Sequence, residues 1–170
     1  MTDFKYKSIM EYIKEQRELN EARKNINRSL KFVGYFQDTD KMPCDSDAHG
    51  VYAAFAQDET GTPRLLYIGR AFKSNNLKKR IQEHIDDDHN SEKWLEHYDP
   101  KKDTICYSYA EIDDDEVIPD VEKTLIHENE PEINSQEVDN INISAWTVRL
   151  SCIGDKGCLK ASATLVKDIK

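Results

Sequence analysis

Residues 50–57 and 64–69 are two short runs rich in aliphatic and aromatic side chains, separated by Asp58-Glu59-Thr60-Gly61-Thr62-Pro63, a loop of turn-forming residues. That pattern predicts a β-hairpin. Its outer ends carry glycine and tyrosine in mirrored order: Gly50-Val51-Tyr52 opens the first strand and Tyr67-Ile68-Gly69 closes the second. If the hairpin closes symmetrically about its loop, Tyr52 falls opposite Gly69 and Tyr67 opposite Ala54. Side chains two residues apart share a face, so both phenols project from the same side of the sheet. Gly69 and Ala54 leave room for them there.

Around this hairpin the chain reads as alternating elements. Residues 4–32 are rich in Glu, Lys, Arg, Leu and Ile without Pro or Gly, which predicts a helix. Its apolar stripe (Ile9, Tyr12, Ile13, Leu19) is too sparse to stand alone and calls for a surface to pack on. Residues 37–49 are polar, broken by Pro43, and read as a linker. Residues 76–86 predict a short helix with Leu77, Ile81 and Ile85 inward; Arg80 and His84, four apart, sit together on its flank. A third strand follows at 104–112. Pro119 suits the first turn of the next helix. Residues 141–151 and 158–167, β-rich around Gly154-Asp155-Lys156-Gly157, predict a C-terminal hairpin.

Charge narrows the function. The net charge is −9, which argues against a protein that coats nucleic acid by electrostatics alone. Its distribution is uneven: residues 49–84 carry six Lys/Arg against three Asp/Glu, whereas residues 85–140 carry four against nineteen. A mildly basic strip beside an acidic flank suits contact with phosphate on one face. There is no run of eighteen apolar residues and no secretory signal at Met1-Thr2-Asp3, so a cytoplasmic protein is expected. The four cysteines lack the spacing of a zinc site or a disulfide framework and read as structural thiols. His49, His89, His97 and His127 show no pairing with one another. Asp113-Asp114-Asp115-Glu116 reads as dipole compensation before a helix rather than a metal site.

The helix after Pro119 adds a stronger constraint. With Val121 at 0° on an ideal wheel, Leu125 falls at about 40°, Glu122 at about 100° and Ile126 at about 140°. Glu122 therefore lies in the middle of the apolar face. A carboxylate is not buried there without a partner, because desolvating an unpaired charge is prohibitive. Glu122 requires a cation, either an arginine or a metal.

Together, Gly50-Val51-Tyr52, Tyr67-Ile68-Gly69, Arg80, His84, Glu122 and the Pro131-Glu132-Ile133-Asn134 segment resemble the GIY-YIG nuclease superfamily, whose members cut DNA phosphodiester bonds with one divalent metal. The resemblance spans roughly residues 49–135. It implies that Tyr52 activates or positions the nucleophile, that Tyr67 supports it, that Arg80 binds phosphate and that Glu122 holds the metal. Asn134 matches the family's bracing asparagine, and Arg70 a position often basic in relatives. The chain departs by carrying Val51 for isoleucine and His84 where many relatives have tyrosine. Residues between Arg70 and Arg80 are also more numerous than in compact relatives.

The chemistry of these residue types agrees. Phosphodiester hydrolysis needs a deprotonated water, charge stabilisation on the phosphoryl oxygens and neutralisation of the leaving oxygen. Mg²⁺ (or Mn²⁺) serves the last two with one or two carboxylates and its own waters, which a single Glu122 satisfies. Arg80 matches phosphate geometrically. Tyr52, Tyr67 and His84 are candidates to align or deprotonate the water.

The expectation is an α/β fold: a small three-stranded sheet flanked by helices, with an N-terminal helix and a C-terminal β-hairpin extension. The divisions fall at 1–48 (helical arm and linker), 49–137 (nuclease-like domain) and 138–170 (β-rich extension). The expected catalytic residues are Tyr52, Tyr67, Arg80, His84 and Glu122, with Glu122 the metal ligand and Gly50, Gly69 and Asn134 in support. Arg70, Lys73, Lys78 and Lys79 are expected to contact DNA. Residues 4–32 are expected to receive a second copy or a protein partner. The competing reading is a catalytically inactive module of the same shape that binds nucleic acid or protein.

Overall fold

In the computed structural model, which describes residues 2–88, 91–134 and 142–167, the elements in chain order are α1 (Thr2–Lys24), β1 (Asn25–Phe36), β2 (Gly50–Gln57), β3 (Pro63–Ala71), α2 (Leu77–Glu83), α3 (Glu92–Leu95), β4 (Thr104–Glu111), α4 (Ile118–Asn129), β5 (Thr147–Gly154) and β6 (Ser162–Val166). The β2–β3 hairpin has the register its symmetry predicts, with Tyr52 opposite Gly69 and Ala54 opposite Tyr67. A bulge follows, since Phe55 pairs with Leu65 and Leu66 is the extra residue. Leu66 and Tyr67 thus both join the cluster on the Tyr52 face, while Ile68 returns to the other.

The expectation of a small three-stranded sheet is overturned. β3, β2 and β4 do pair, but the sheet runs on to six strands in the order β3-β2-β4-β1-β5-β6, mixed in direction and curled. The helix expected over 4–32 stops at Lys24, and the chain continues as β1. β1 lies antiparallel to β4, with Val33 opposite Tyr109, and parallel to β5, with Asn25 opposite Thr147 and Phe32 opposite Gly154. The C-terminal hairpin exists as β5–β6, yet it extends the main sheet through β1 instead of standing apart. Helix competence is judged over four residues, whereas β1 owes its conformation to partners far along the chain. Ile26, Leu30 and Phe32, all at even positions, are its buried side and carry the period-2 signal. The 137/138 division, the first residue of the strand expected at 141–151, and His89 lie outside the described residues.

Each face of the sheet has its own core. On one, Val51, Ala53, Phe55 and Ile68 meet Val121, Leu125 and Ile126 of α4. On the other, Tyr52, Ala54, Tyr107 and Tyr109 meet Leu77 and Ile81 of α2 together with Trp94. A central strand buried on both faces explains why β2 reads as a continuous apolar run. The expected linker is packed down as well: Met42 and Cys44 are buried, and the Thr39 hydroxyl donates to Gln82 at 2.6 Å.

β3 is an edge strand, and residues 132–134 cover that edge. Ile133 N–H donates to the Leu66 carbonyl at 2.8 Å, and Ile68 N–H donates to Asn134 Oδ1 at 2.8 Å. α4 begins with Pro119 in its first turn. The apolar residues Ile9, Tyr12, Ile13 and Leu19 of α1 remain exposed. Among the described residues no helix is long and apolar enough to cross a membrane.

Candidate active site

The hollow that holds the tyrosines is made by a missing side chain. A Cβ on Gly69 would stand 2.4 Å from the Tyr52 hydroxyl and 2.7 Å from the Tyr67 ring, so only glycine admits both phenols. Gly50 serves a different approach: with φ of 153°, a Cβ there would lie 2.1 Å from the Ala110 carbonyl oxygen, so glycine lets β2 close onto β4.

Into this hollow α2 delivers His84. The helix starts on Asn76, whose side chain accepts from the Lys79 N–H at 2.8 Å, and it widens into a π-helical turn, His84–Asp88, at the point where His84 turns inward. His84 Nε2 lies 2.6 Å from the Tyr52 hydroxyl. Both side chains are buried, at 3 % and 1 % exposure. The ring of Tyr67 stands 5.1 Å from that of His84 and 6.2 Å from that of Tyr52. Trp94 closes the cluster at 5.7 Å from His84 and 5.9 Å from Tyr67. Tyr67 and Arg80 are half-buried and form the part of the cluster that reaches solvent.

Burial is the main reason the Tyr52 phenol is held well above its ordinary pKa. Tyr67, Tyr107 and Glu122 push in the same direction, and Arg80 pulls against them. Glu122 acts on Tyr52 from α4, whose apolar residues pack on the opposite face of the sheet. Arg80 donates to Glu83 Oε2 at 2.7 Å, which lowers the Glu83 carboxyl and raises the guanidinium.

Glu122 has the cation its wheel position demands. Its Oε2 accepts from Arg70 at 2.5 Å, with the Glu122 side chain 13 % exposed. Arg70 and Lys73 both lie against the Phe72 ring, at 5.3 and 5.1 Å, and Lys73 has left-handed backbone with φ of 61°. Lys79 is exposed on α2, whereas the charge of the half-buried Lys78 is felt by Cys44. The structure therefore gathers Tyr52, Tyr67 and His84 in contact, with Arg80 and Glu122 in electrostatic reach. It groups Arg70 with Glu122, and it sets Lys78 and Lys79 along the helix flank.

Several participants escape the sequence reading. Trp94 walls the cluster from α3, and the signal for it is a single aromatic in an otherwise acidic stretch. Asp120 is the more deeply buried carboxylate of α4, at 3 % exposure, and it accepts from Ser144 N–H (2.9 Å) and Ala145 N–H (2.7 Å) to tie that segment to the helix. His49 Nδ1 lies 2.7 Å from Asp115 Oδ1, and the other Asp115 oxygen accepts from Lys73 N–H at 3.3 Å, so the acidic loop braces the strand-to-helix connection. The four cysteines are free thiols, three of them buried.

For a divalent cation the residues offer one carboxylate, Glu122, already paired with Arg70; among the described residues no three His, Cys, Asp or Glu side chains converge. One carboxylate plus waters is a set that Mg²⁺ accepts. Comparison with protein-family models, with curated proteins and with solved structures gives no match for this chain.

Proposed function

We propose that the chain is a metal-dependent endonuclease that hydrolyses DNA phosphodiester bonds. The observation that carries this reading is the Tyr52–His84 hydrogen bond of 2.6 Å, seated in the Gly69 hollow with Arg80 and Glu122 within electrostatic reach.

A phenol held protonated by burial is a poor base alone, because the phenolate is disfavoured there. His84 resolves this. As the Tyr52 oxygen takes a proton from the attacking water, the Tyr52 proton passes to His84 Nε2, so no phenolate accumulates. The water oxygen forms the new bond to phosphorus, and the bond to the leaving sugar oxygen breaks. His84 bonds the Tyr52 hydroxyl and acts through it; both side chains are buried, so the water enters past the half-buried Tyr67. Tyr67, at the solvent edge, orients the water, and Arg80 binds the phosphoryl oxygens as their charge grows. Glu122 would hold Mg²⁺ or Mn²⁺, which would supply Lewis-acid stabilisation of the phosphoryl and leaving oxygens.

One observation favours a second reading. Glu122 is already neutralised by Arg70 at 2.5 Å, as expected of an inactive module that keeps the shape and binds nucleic acid or protein. Supercoiled plasmid incubated with the purified chain, in Mg²⁺ or in chelator, separates the two. Mg²⁺-dependent nicking that Glu122→Gln abolishes supports the nuclease. Absence of nicking under both Mg²⁺ and Mn²⁺, with the chain folded, supports the inactive module.

A further inference from the structure

We propose that the bare face of β1, β5 and β6 is a track for the phosphodiester backbone of DNA, leading to the tyrosine cluster on the same side of the same sheet; the proposal rests on the nuclease reading and names where its substrate lies. The side follows from strand alternation. Val33 of β1 packs in the cluster with Tyr52, Tyr107 and Tyr109, and it sits opposite Tyr109. Lys31, Ser29 and Asn27 share its parity, so they face the same way. The pairing carries that face outward: Asn27 lies beside Arg149, Ser29 beside Ser151 and Lys31 beside Ile153. Ser162 and Thr164 of β6 continue the rows from Ser151 and Arg149.

α2, α3 and the π-helical turn cover this face over β3, β2 and β4, but over β1, β5 and β6 these side chains are exposed. The opposite side of β5 and β6, with Val148, Leu150, Cys152 and Ala163, is buried. The bare face is mixed, with exposed Ile153 and Val166 among its polar side chains, but none of its strand residues is acidic. β1, β5 and β6 contain no Asp or Glu, in a chain that carries 33 of them. Strand propensity disfavours Lys as it does Glu, so it does not by itself select two cations and no anion. Arg149 stands among hydroxyl and amide side chains, and Lys31 stands between Ser29 and the exposed Ile153; the polar members are the set that contacts phosphate and sugar without reading sequence. From β2 to β5 is three inter-strand steps of about 4.8 Å, or about 14 Å. That corresponds to about four base pairs of duplex. Strands free of acidic residues at that distance offer phosphate a path beside the basic strip of residues 49–84, with Asp155, just past β5, as the nearest acid on the β1–β5 border.

The test compares wild type with Lys31→Glu/Arg149→Glu and with Ser151→Arg, using a fluorescein-labelled 20-base-pair duplex without metal, over a salt series. The expected result is binding at least 10-fold weaker in the double variant, and a log–log salt slope shallower by about two contacts. Ser151→Arg is expected to tighten binding, a gain that misfolding does not imitate. Wild-type binding with unchanged affinity and slope in all variants would overturn the track while leaving the nuclease reading intact. No duplex binding by the wild type would overturn both. Sedimentation of the same samples tests the other occupant: loss of self-association in the double variant with unchanged DNA affinity would make the face a contact between copies and overturn the track.

Discussion

The Tyr52 hydroxyl and His84 Nε2, brought from β2 and the end of α2, lie 2.6 Å apart and almost wholly out of solvent. A buried polar pair of this kind resists the loss of either member, since the survivor keeps its desolvation cost without its partner. Tyr52→Phe is expected to cost about 1–3 kcal/mol of stability. If the pair relays a proton, cleavage should also fall by about 10²–10⁴-fold. His84→Gln, which keeps a hydrogen-bonding group but cannot take the proton, should fold and lose a similar share of rate. Cleavage at wild-type rate by a folded Tyr52→Phe protein would remove Tyr52 from the chemistry.

Gly69→Ala probes the hollow. The new Cβ would meet Tyr52 and Tyr67 at 2.4–2.7 Å, so at least one ring must move. Overpacking of this kind costs about 1–3 kcal/mol. For a chain of this length each kcal/mol lowers Tm by about 2–4 °C. Activity should drop more than stability, because displacing the phenol breaks its bond to His84. An unchanged Tm would show that the rings have slack the packing does not suggest.

A divalent cation on Glu122, as proposed, would compete with Arg70 for the same carboxylate. Arg70→Gln should therefore tighten Mn²⁺ binding, read by titration calorimetry, while Glu122→Gln should abolish it. Weaker Mn²⁺ binding in Arg70→Gln would mean that the arginine orients Glu122 for the metal instead of opposing it.

Alkaline conditions should unfold the protein early. Burial raises the phenols of Tyr52, Tyr98 and Tyr109 above their ordinary value of 10 and the thiols of Cys44, Cys106 and Cys152 above 9. A folded pKa above the unfolded one gives stability that is complete below the unfolded value and is lost as pH rises through the folded one. Between the two, each group withheld from ionising costs about 1.4 kcal/mol per pH unit. Tm should hold to about pH 9 and then fall, more steeply past pH 10. Tyr109→Phe should flatten the later limb. A Tm independent of pH from 8 to 11 would contradict the burial of these groups.

What was legible in the sequence was local. The hairpin register follows from strand alternation about a single loop, and the demand of Glu122 for a cation follows from the helix wheel. Both rest on geometry that repeats within a few residues. The identity of that cation was not legible. An arginine or a metal satisfies the same charge, and only the approach of β3 to α4 brought Arg70 within 2.5 Å. The fate of residues 25–32 was also decided elsewhere. Their Lys, Arg and Leu content suits a helix, but the open edges of β4 and β5 offer backbone partners that no helix could satisfy. Residues 25–36 became the strand that joins the two halves into one sheet. Helix bonds close within the segment that forms them, while strand bonds belong to pairs of distant segments, so tertiary structure alone determined the sheet's extent and its bare face.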